Sequence, residues 1–253
     1  MARGKSIFRS GEDETGRERG TLFIVSTPIG NLEDITLRAL RFLREVDLVA
    51  AEDTRRTAKL FTHYDIQNKI ISFHDHNKER KTPGLLDTLR SGLNVAIVSD
   101  AGTPGISDPC YYLVSRAIAE GIDIIPIPGP TAAISALVVS GLPTDRFVFE
   151  GFLPAKEGRC RSRLRELAQE KRTIIFYESP HRLERNLRMM ADIFGDRRIA
   201  LARELTKRFE EIQREPISVL MERWKNKRPR GEFVVVVEGN RLRSEGTTCC
   251  PSS

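Results

Sequence analysis

The run Val98-Ser99-Asp100-Ala101-Gly102-Thr103-Pro104-Gly105-Ile106-Ser107-Asp108-Pro109 places a carboxylate at the end of an apolar segment. Two glycines and two prolines follow within the next nine residues. Glycine lets a backbone come close to a ligand, and proline holds a loop in one shape. The chemistry this implies is the binding of a compact molecule by backbone groups, with the Asp100 carboxylate alongside. Residues 27–33, 52–57 and 73–78 likewise follow apolar runs and carry Gly, Pro or charged side chains, and Ile127-Pro128-Gly129-Pro130-Thr131-Ala132 enters a run of small residues. A single Pro-Gly turn is usually only a turn; five such loops after five strand-like runs point to one ligand edge.

Familiar nucleotide motifs are absent. Thr27-Pro28-Ile29-Gly30-Asn31-Leu32 lacks the second and third glycines of GxGxxG, and there is no GxxxxGK[ST], so neither a dinucleotide fold nor a P-loop is indicated. The lack of GxSxG argues against an α/β-hydrolase. His74 and His76 flank Asp75, but two histidines and one carboxylate fall short of a metal site, and the reading is that no metal is bound. Cys110, Cys160, Cys249 and Cys250 lack CxxC spacing, which fits a reducing cytosol.

The elements that must hold these loops alternate. Residues 20–26, 48–51, 69–72, 94–98 and 122–125 read as buried strands, and helical spacing of Ile35, Leu37, Leu40, Leu43 and Val46 predicts a helix from about residue 34 to 45. Continuous apolar strands between helices predict a parallel sheet covered on both faces, whose carboxyl edge is where ligands bind. Composition changes near Pro143. The expected organisation is an N-terminal arm of 1–19, an α/β domain over 20–143, a second α/β domain over 144–240, and a tail of 241–253. The second domain reads as a strand at 146–154, an arginine-bearing helix within 159–172, strands at 173–177, 198–202 and 233–237, and a helix after Pro180.

The chain has 253 residues, 40% hydrophobic and 30% charged, with a net charge of +6. This describes a soluble globular protein with a modest lean towards a polyanionic partner. Residues 1–19 have no apolar core and predict no signal peptide. Residues 124–143 are uncharged over a length that could span a membrane, but four prolines and two glycines interrupt them; they read as strand, turn and buried helix.

Taken together, the loops at residues 26–32, 51–57, 72–78, 99–109 and 126–132 resemble those of the tetrapyrrole methylase superfamily. The closest resemblance is to its ribosomal RNA branch, which methylates the ribose 2′-oxygen of a cytidine in 16S RNA of the small subunit. Gly141-Leu142-Pro143-Thr144-Asp145-Arg146, Phe149-Glu150-Gly151-Phe152-Leu153-Pro154, Phe176-Tyr177-Glu178-Ser179-Pro180-His181-Arg182 and Ala202-Arg203-Glu204-Leu205-Thr206-Lys207 resemble that branch too. The match runs from about residue 20 to 239. It implies two α/β domains with S-adenosyl-L-methionine folded into the cleft between them, no catalytic metal, a homodimer and a cytoplasmic location away from membranes. By position, Asp100, Ala101, Gly102, Thr103, Pro104, Gly105, Ile106 and Ser107 would hold the donor's methionine end and ribose. Pro128, Gly129, Pro130, Thr131, Ala132, Tyr177, Glu178, Gly231 and Glu232 would wrap the remainder, and Thr27, Pro28 and Gly30 would floor the sulfonium.

Methyl transfer to a hydroxyl is an in-line displacement whose demands are alignment and disposal of a proton. Asp53, Arg55, His74, His76, Glu178, Arg203, Glu204 and Lys207 are the candidate groups. The favoured set is Arg203, Glu204 and Lys207, which combines acid and base functions on one strand-end segment. Asp53 beside Arg55 and Arg56 also reads as a surface charge cluster, and Glu204 with Lys207 as a structural ion pair. The basic helix within 159–172, with Lys78, Arg80 and Lys81, would supply phosphate contacts to RNA. Two departures stand out. Cys110 occupies a position where the branch has glycine, which is expected to narrow the pocket or alter the turn. The segment Cys249-Cys250-Pro251-Ser252-Ser253 does not resemble the branch's small C-terminal helical region, which would weaken RNA docking or shift it to other surfaces. Two alternatives remain: a methyltransferase of a small tetrapyrrole such as a corrin or sirohaem precursor, and a non-catalytic RNA-binding assembly factor.

Overall fold

The computed structural model describes residues 19–227 and 229–240, which form two compact units with the division at Thr131/Ala132. The arm and tail read from the sequence, Cys249 and Cys250 among them, lie outside the described residues except at Arg19.

The first unit alternates strand and helix: β1 (Leu22–Val25), α1 (Leu37–Glu45), β2 (Leu48–Ala51), α2 (Thr54–His63), β3 (Ile70–Ser72), α3 (Lys78–Arg90), β4 (Val95–Val98), α4 (Cys110–Ala119) and β5 (Ile124–Ile127). All pairings are parallel, in the order β3-β2-β4-β1-β5. Successive side chains of a strand point to opposite faces. Ala96 and Val98 of β4 accordingly pack with Leu40, Phe42, Leu43, Leu60 and Phe61 of α1 and α2. Val95 and Ile97 pack with Leu85, Leu89, Leu113 and Ala117 of α3 and α4. Right-handed crossovers in opposite directions put their helices on opposite faces. The chain therefore leaves β1 and β2 for one face and β3 and β4 for the other. β4, flanked by β2 and β1, stands where the direction reverses, and in such sheets that is the point of the carboxyl edge at which ligands bind.

The helix expected from residue 34 begins at Leu37. Asn31 first caps a short 3₁₀ turn, Leu32–Asp34, and Thr36 then accepts the Ala39 N–H at 3.0 Å. A hydroxyl in that role fixes a helix start more firmly than apolar spacing does.

The second unit contains α5 (Ala132–Val139), β6 (Phe147–Phe152), α6 (Glu157–Leu167), β7 (Thr173–Glu178), α7 (Leu183–Phe194), β8 (Arg198–Arg203), β9 (Glu211–Pro216), α8 (Ile217–Trp224) and β10 (Phe233–Val237). Its sheet runs β6-β7-β10-β8-β9, with β6 and β7 parallel and the other pairs antiparallel. Phe233, Val235 and Val237 pack into a core with Leu164, Leu187, Met190, Ile217 and Trp224 from α6, α7 and α8. The boundary expected near residue 143 falls earlier because α5 lies against β7 and β10, joining the second unit. The uncharged run 124–143 divides into β5, a turn and α5, and among the described residues no helix is long and apolar enough to cross a membrane. Two elements were not expected, β9 and α8. β9 reads Glu-Ile-Gln-Arg-Glu-Pro, an edge strand with one large apolar residue, so neither hydrophobicity nor alternation marks it.

Candidate active site

At the carboxyl edge of the first sheet, three loops are tied together. Thr27 and Gly102 exchange backbone hydrogen bonds of 2.9 and 3.0 Å in an isolated antiparallel bridge, joining the loops after β1 and β4. The Thr103 hydroxyl donates to the Pro130 carbonyl at 3.2 Å, which brings in the loop after β5. With its proton committed there, Thr103 is the acceptor in its 2.9 Å contact with the Ser26 hydroxyl. Thr27 in turn donates to the Ser99 carbonyl at 3.2 Å. Gly102 has φ +83°, and a side chain there would meet Ile29 at 3.3 Å. The bridge thus needs a residue that adopts the left-handed region freely.

The loop after β2 is linked in the same way. Asp100 accepts the Asp53 N–H at 2.9 Å, and Glu52 accepts the Asp100 N–H at 3.2 Å, so two neighbouring strand ends exchange carboxylates. Arg56 lies 3.4 Å from the second Asp100 oxygen. Burial raises the Glu52 carboxyl above its ordinary value; the Asp100 N–H opposes the shift, and the charges of Asp100, Asp108 and Asp75 reinforce it. Asp53 itself caps α2, accepting the Arg55 N–H at 2.9 Å and pairing with its guanidinium at 2.8 Å. That side-chain bond holds the Asp53 carboxyl well below the usual carboxylate range. These contacts explain Asp53 and Arg55 as a helix cap and its partner.

The second half of the β4 loop turns towards β3. Asp108 gathers it, accepting the Gly105 N–H at 2.8 Å and the Cys110 N–H at 2.9 Å. Burial pushes the Asp108 carboxyl up, against those bonds. Ala101, Gly105, Ile106 and Ser107 are exposed, with Ser107 at φ +67°, whereas Gly102 and Pro104 are buried. Pro128 is exposed, Pro130 and Thr131 half-buried, and Gly30 exposed. Backbone groups with a carboxylate, and no cluster of cationic side chains among residues 99–109, suit a ligand bearing positive charge better than a polyphosphate. Cys110 does not narrow this edge. Its side chain is 1% exposed and sits in the core shared with Phe73, Leu85 and Leu113, where burial pushes the thiol up to about 12.

In the second unit, Glu204, Lys207, Gly231 and Glu232 are brought together. Lys207 Nζ lies 2.9 Å from both Glu204 Oε1 and Glu232 Oε2, and Glu204 Oε1 also accepts the Glu232 N–H at 2.9 Å. Glu204 stands at φ +51°, and a side chain at Gly231 would collide with it at 2.5 Å. Burial alone would raise the Glu204 carboxyl, but the Glu232 N–H and the Lys207 ammonium outweigh it and hold the group below its ordinary value. Lys207 is held above its own ordinary value: burial opposes the charge, and the two carboxylates overcome that. The Lys207 ammonium is thus held between two carboxyl groups, with Glu204 favoured in its ionised form. Arg203 is held apart from it, donating to the Arg230 carbonyl at 2.8 Å and lying 3.5 Å from Glu211.

Tyr177 and Glu178 alternate across β7. Tyr177 stacks edge-on with Phe149, ring centres 5.0 Å apart. The Glu178 side chain is only 1% exposed and bonds inward to Asn186 and to the Ser179 N–H, with Arg182 at 3.6 Å. Burial raises its carboxyl even so. His74 bonds Asn77 through Nε2 at 3.0 Å, with His76 6.0 Å away ring to ring. Among the described residues no group of three or more His, Cys, Asp or Glu is arranged to hold a metal. The basic helix is partly neutralised: Arg161 pairs with Glu157 and Asp192, Arg163 with Glu150 and Glu166, and Arg172 with Glu170. Sequence reasoning missed the supporting roles of Ser26, Glu52 and Asp108. Only Asp108, two residues before a helix, carries a local signal, as a side chain placed to cap it.

The model of the Tetrapyrrole (Corrin/Porphyrin) Methylases family matches residues 21–220, and the chain belongs to that family. It is 52% identical over 88% of its length to the ribosomal RNA small subunit methyltransferase I of Halalkalibacterium halodurans, covering 77% of that protein. It is 50% identical over 87% of its length to the protein of the same name from Thermotoga maritima, covering 99% of it. Among solved structures it resembles the methyltransferase CobJ, with TM-score 0.65 and 20% identity over 90% of this chain and 97% of that one. It also resembles cobalt precorrin-4 methyltransferase, with TM-score 0.63 and 20% identity over 86% and 94%. These two likenesses establish the fold.

Proposed function

We propose that this protein transfers a methyl group from S-adenosyl-L-methionine to the 2′-oxygen of a cytidine ribose in 16S RNA of the small ribosomal subunit. The substrate class rests on relatives half identical over nearly nine-tenths of the chain that are named for small-subunit ribosomal RNA methylation. The observation that carries the donor site is the tied set of loops after β1, β4 and β5, a cradle of backbone and one carboxylate at the sheet's switch point.

Thr27, Pro28 and Gly30, residues 100–107 and residues 128–132 are assigned to the donor in the first unit and the start of α5. Tyr177, Gly231 and Glu232 are assigned to it in the second unit, whereas the Glu178 carboxyl is turned inward to Asn186 and the Ser179 N–H. The sulfonium supplies an activated methyl carbon: as the bond to the ribose oxygen forms, the bond to sulfur breaks and the thioether leaves. The chain's task is then alignment and management of one proton. Lys207 stays cationic and faces the negative charge developing on the ribose oxygen, which is how a fixed cation lowers such a barrier. Glu204, ionised 2.9 Å from it, is the acceptor for the hydroxyl proton, and Arg203 positions the segment that carries both. The working unit is a homodimer in the cytoplasm.

The test is transfer of labelled methyl from S-adenosyl-L-methionine to unmodified small subunits, with nuclease mapping of the product. A 2′-O-methylated cytidine is the expected outcome. Donor binding without label in RNA overturns the substrate and directs the search to tetrapyrroles; absence of donor binding overturns catalysis and leaves an RNA-binding assembly role.

A further inference from the structure

The β4 loop has two halves with different partners. Residues 99–104 bond to the loops after β1 and β5, whereas residues 105–109 face the β3 side. There Ser107, Asp108, Tyr111 and Tyr112 meet Asp75 and Lys78 around a cavity of about 240 Å³ that opens to solvent. Pockets for whole drug-sized ligands run to roughly 300–1,000 Å³, so this one suits a single ring system. Its two aromatic side chains differ. Tyr112 is half-buried with Lys78 Nζ 5.8 Å and the Arg116 guanidinium 5.4 Å from its ring centre. Tyr111 is 75% exposed, an unusual setting for a large ring.

The lining charges are specific as well. Lys78 is paired with Asp75 at 2.8 Å, which leaves the second Asp75 oxygen available. Asp108 already accepts from the Gly105, Ile106 and Cys110 N–H groups, which leaves it at most one of its roughly four acceptor positions and makes Asp75 the main acceptor of the cavity. The cavity thus offers carboxylate acceptors beside an exposed ring, with cationic Arg80, Lys81 and Arg116 on the flanking helices. A phosphate inside would meet two carboxylates. A nucleobase with an exocyclic amino group would meet acceptors, as cytosine N4 does with Asp or Glu, and would have a face on which to stack.

We propose that this cavity is an RNA subsite, taking one amino-bearing base stacked on Tyr111, with its amino group donating to Asp75 or Asp108 and its phosphates on the flanking cations. The inference rests on RNA being the substrate, as proposed above, and adds where and how one of its bases is read. It also places a substrate contact at the outer end of the β4 loop, beside residues 105–107 of the donor set.

The experiment measures binding of labelled hexacytidine and hexauridine RNA by fluorescence anisotropy, for the wild type and for Tyr111→Ala, Tyr111→Phe and Asp75→Asn. Donor affinity by calorimetry and KM for small subunits are measured in parallel. The wild type is expected to favour hexacytidine over hexauridine. Tyr111→Ala should weaken hexacytidine and raise KM for subunits by about tenfold, the scale of one lost base–aromatic stack. Tyr111→Phe should keep the affinity, Asp75→Asn should narrow the cytidine preference, and donor affinity should be unchanged throughout. If Tyr111→Ala matches the wild type in RNA affinity and KM, the inference is overturned. If donor affinity falls in step with RNA affinity, the cavity belongs to the donor and the inference is again overturned. If the wild type and Tyr111→Ala methylate subunits equally well, the proposed function stands and this subsite is removed. A wild type that binds RNA through Tyr111 yet transfers no methyl group does the reverse.

Discussion

The Thr27–Gly102 bridge predicts a graded response to adding one methyl group at two glycines of the same loop. Gly102 has φ +83° and Gly105 φ +95°, both in the region that an L side chain enters at a cost of about 1–2 kcal/mol. At Gly105 that is the whole cost, because a Cβ would find nothing within 4 Å. At Gly102 the Cβ would also stand 3.3 Å from Ile29 and 3.5 Å from the Pro130 carbonyl oxygen. Ile29 is 7% exposed and has little room to retreat, so the contact adds to the conformational cost. Gly105→Ala should lower the melting temperature by roughly 2–8 °C, taking 2–4 °C per kcal/mol for a chain of this size, and Gly102→Ala by more. The two also separate in binding. Strain at Gly102 passes through two backbone hydrogen bonds into the Thr27 loop, so Gly102→Ala should weaken S-adenosyl-L-methionine binding more than Gly105→Ala. Differential scanning calorimetry with donor titration reads both quantities. If Gly105→Ala is the more destabilising, or Gly102→Ala binds donor as the wild type does, the bridge is not what organises the edge.

Three further outcomes follow from the same contacts. Asp100→Ala strands the Asp53 N–H without its acceptor, and a loss of about 1–3 kcal/mol is expected in denaturant titration; Asp100→Asn, which keeps an acceptor, should lose less. Lys207→Met sets the Glu204 and Glu232 carboxylates against each other, so kcat for methyl transfer should fall at least a hundredfold with donor affinity kept, and loss of donor affinity instead would reassign Lys207 to binding. The Glu178 carboxyl is raised above its ordinary 4.5 by burial, so the folded state holds its proton more tightly than the unfolded chain does. Its contribution to stability is then greatest below pH 4.5 and declines as pH rises through the raised value. Glu178→Gln cannot titrate, and its stability relative to the wild type should improve over that window; parallel curves for the two proteins would contradict the assignment.

How much of this was legible in the sequence depends on how local the signal is. The first sheet was readable because Leu48–Ala51 and Val95–Val98 are buried at every position, so each shows as an unbroken apolar run ending in a polar loop. The site's cross-links were not readable. Glu52 meets Asp100 only because β2 and β4 are neighbours, and strand order in a doubly wound sheet is not chain order. The Lys207–Glu232 contact likewise depends on β8 pairing with β10. β9 escaped notice because an edge strand needs little apolar surface, and the boundary near Pro143 was misplaced because composition changes after α5 whereas packing changes before it. One feature could have been read and was not. Tyr177 and Glu178 are adjacent on a strand, so they point to opposite sides, and only Glu178 shares the side of Ile174 and Phe176, which pack against α6, α7 and α8.

The two halves of the β4 loop bear on how one fold serves substrates as different as a corrin and an RNA. Solved structures of corrin and porphyrin methyltransferases share the fold at about 20% identity, so fold alone does not choose between a macrocycle and a ribose. What the loops after β1 and β5 grip is the half from Ser99 to Pro104, and a change there disturbs three loops at once. The half from Gly105 to Pro109 is held chiefly by Asp108, a side chain of its own segment. It can therefore change its outward-facing residues without disturbing the bridge. Cys110 illustrates the point from inside: a side chain at the foot of α4 is absorbed by the core beside Leu113, and the loop above it keeps its hydrogen bonds. On the function and subsite proposed above, specificity for RNA has its place in the exposed side chains at this outer end and at the helix starts around it, Tyr111 and Lys78 foremost, while the part of the donor site from Asp100 to Pro104 is the part that the neighbouring loops hold fixed.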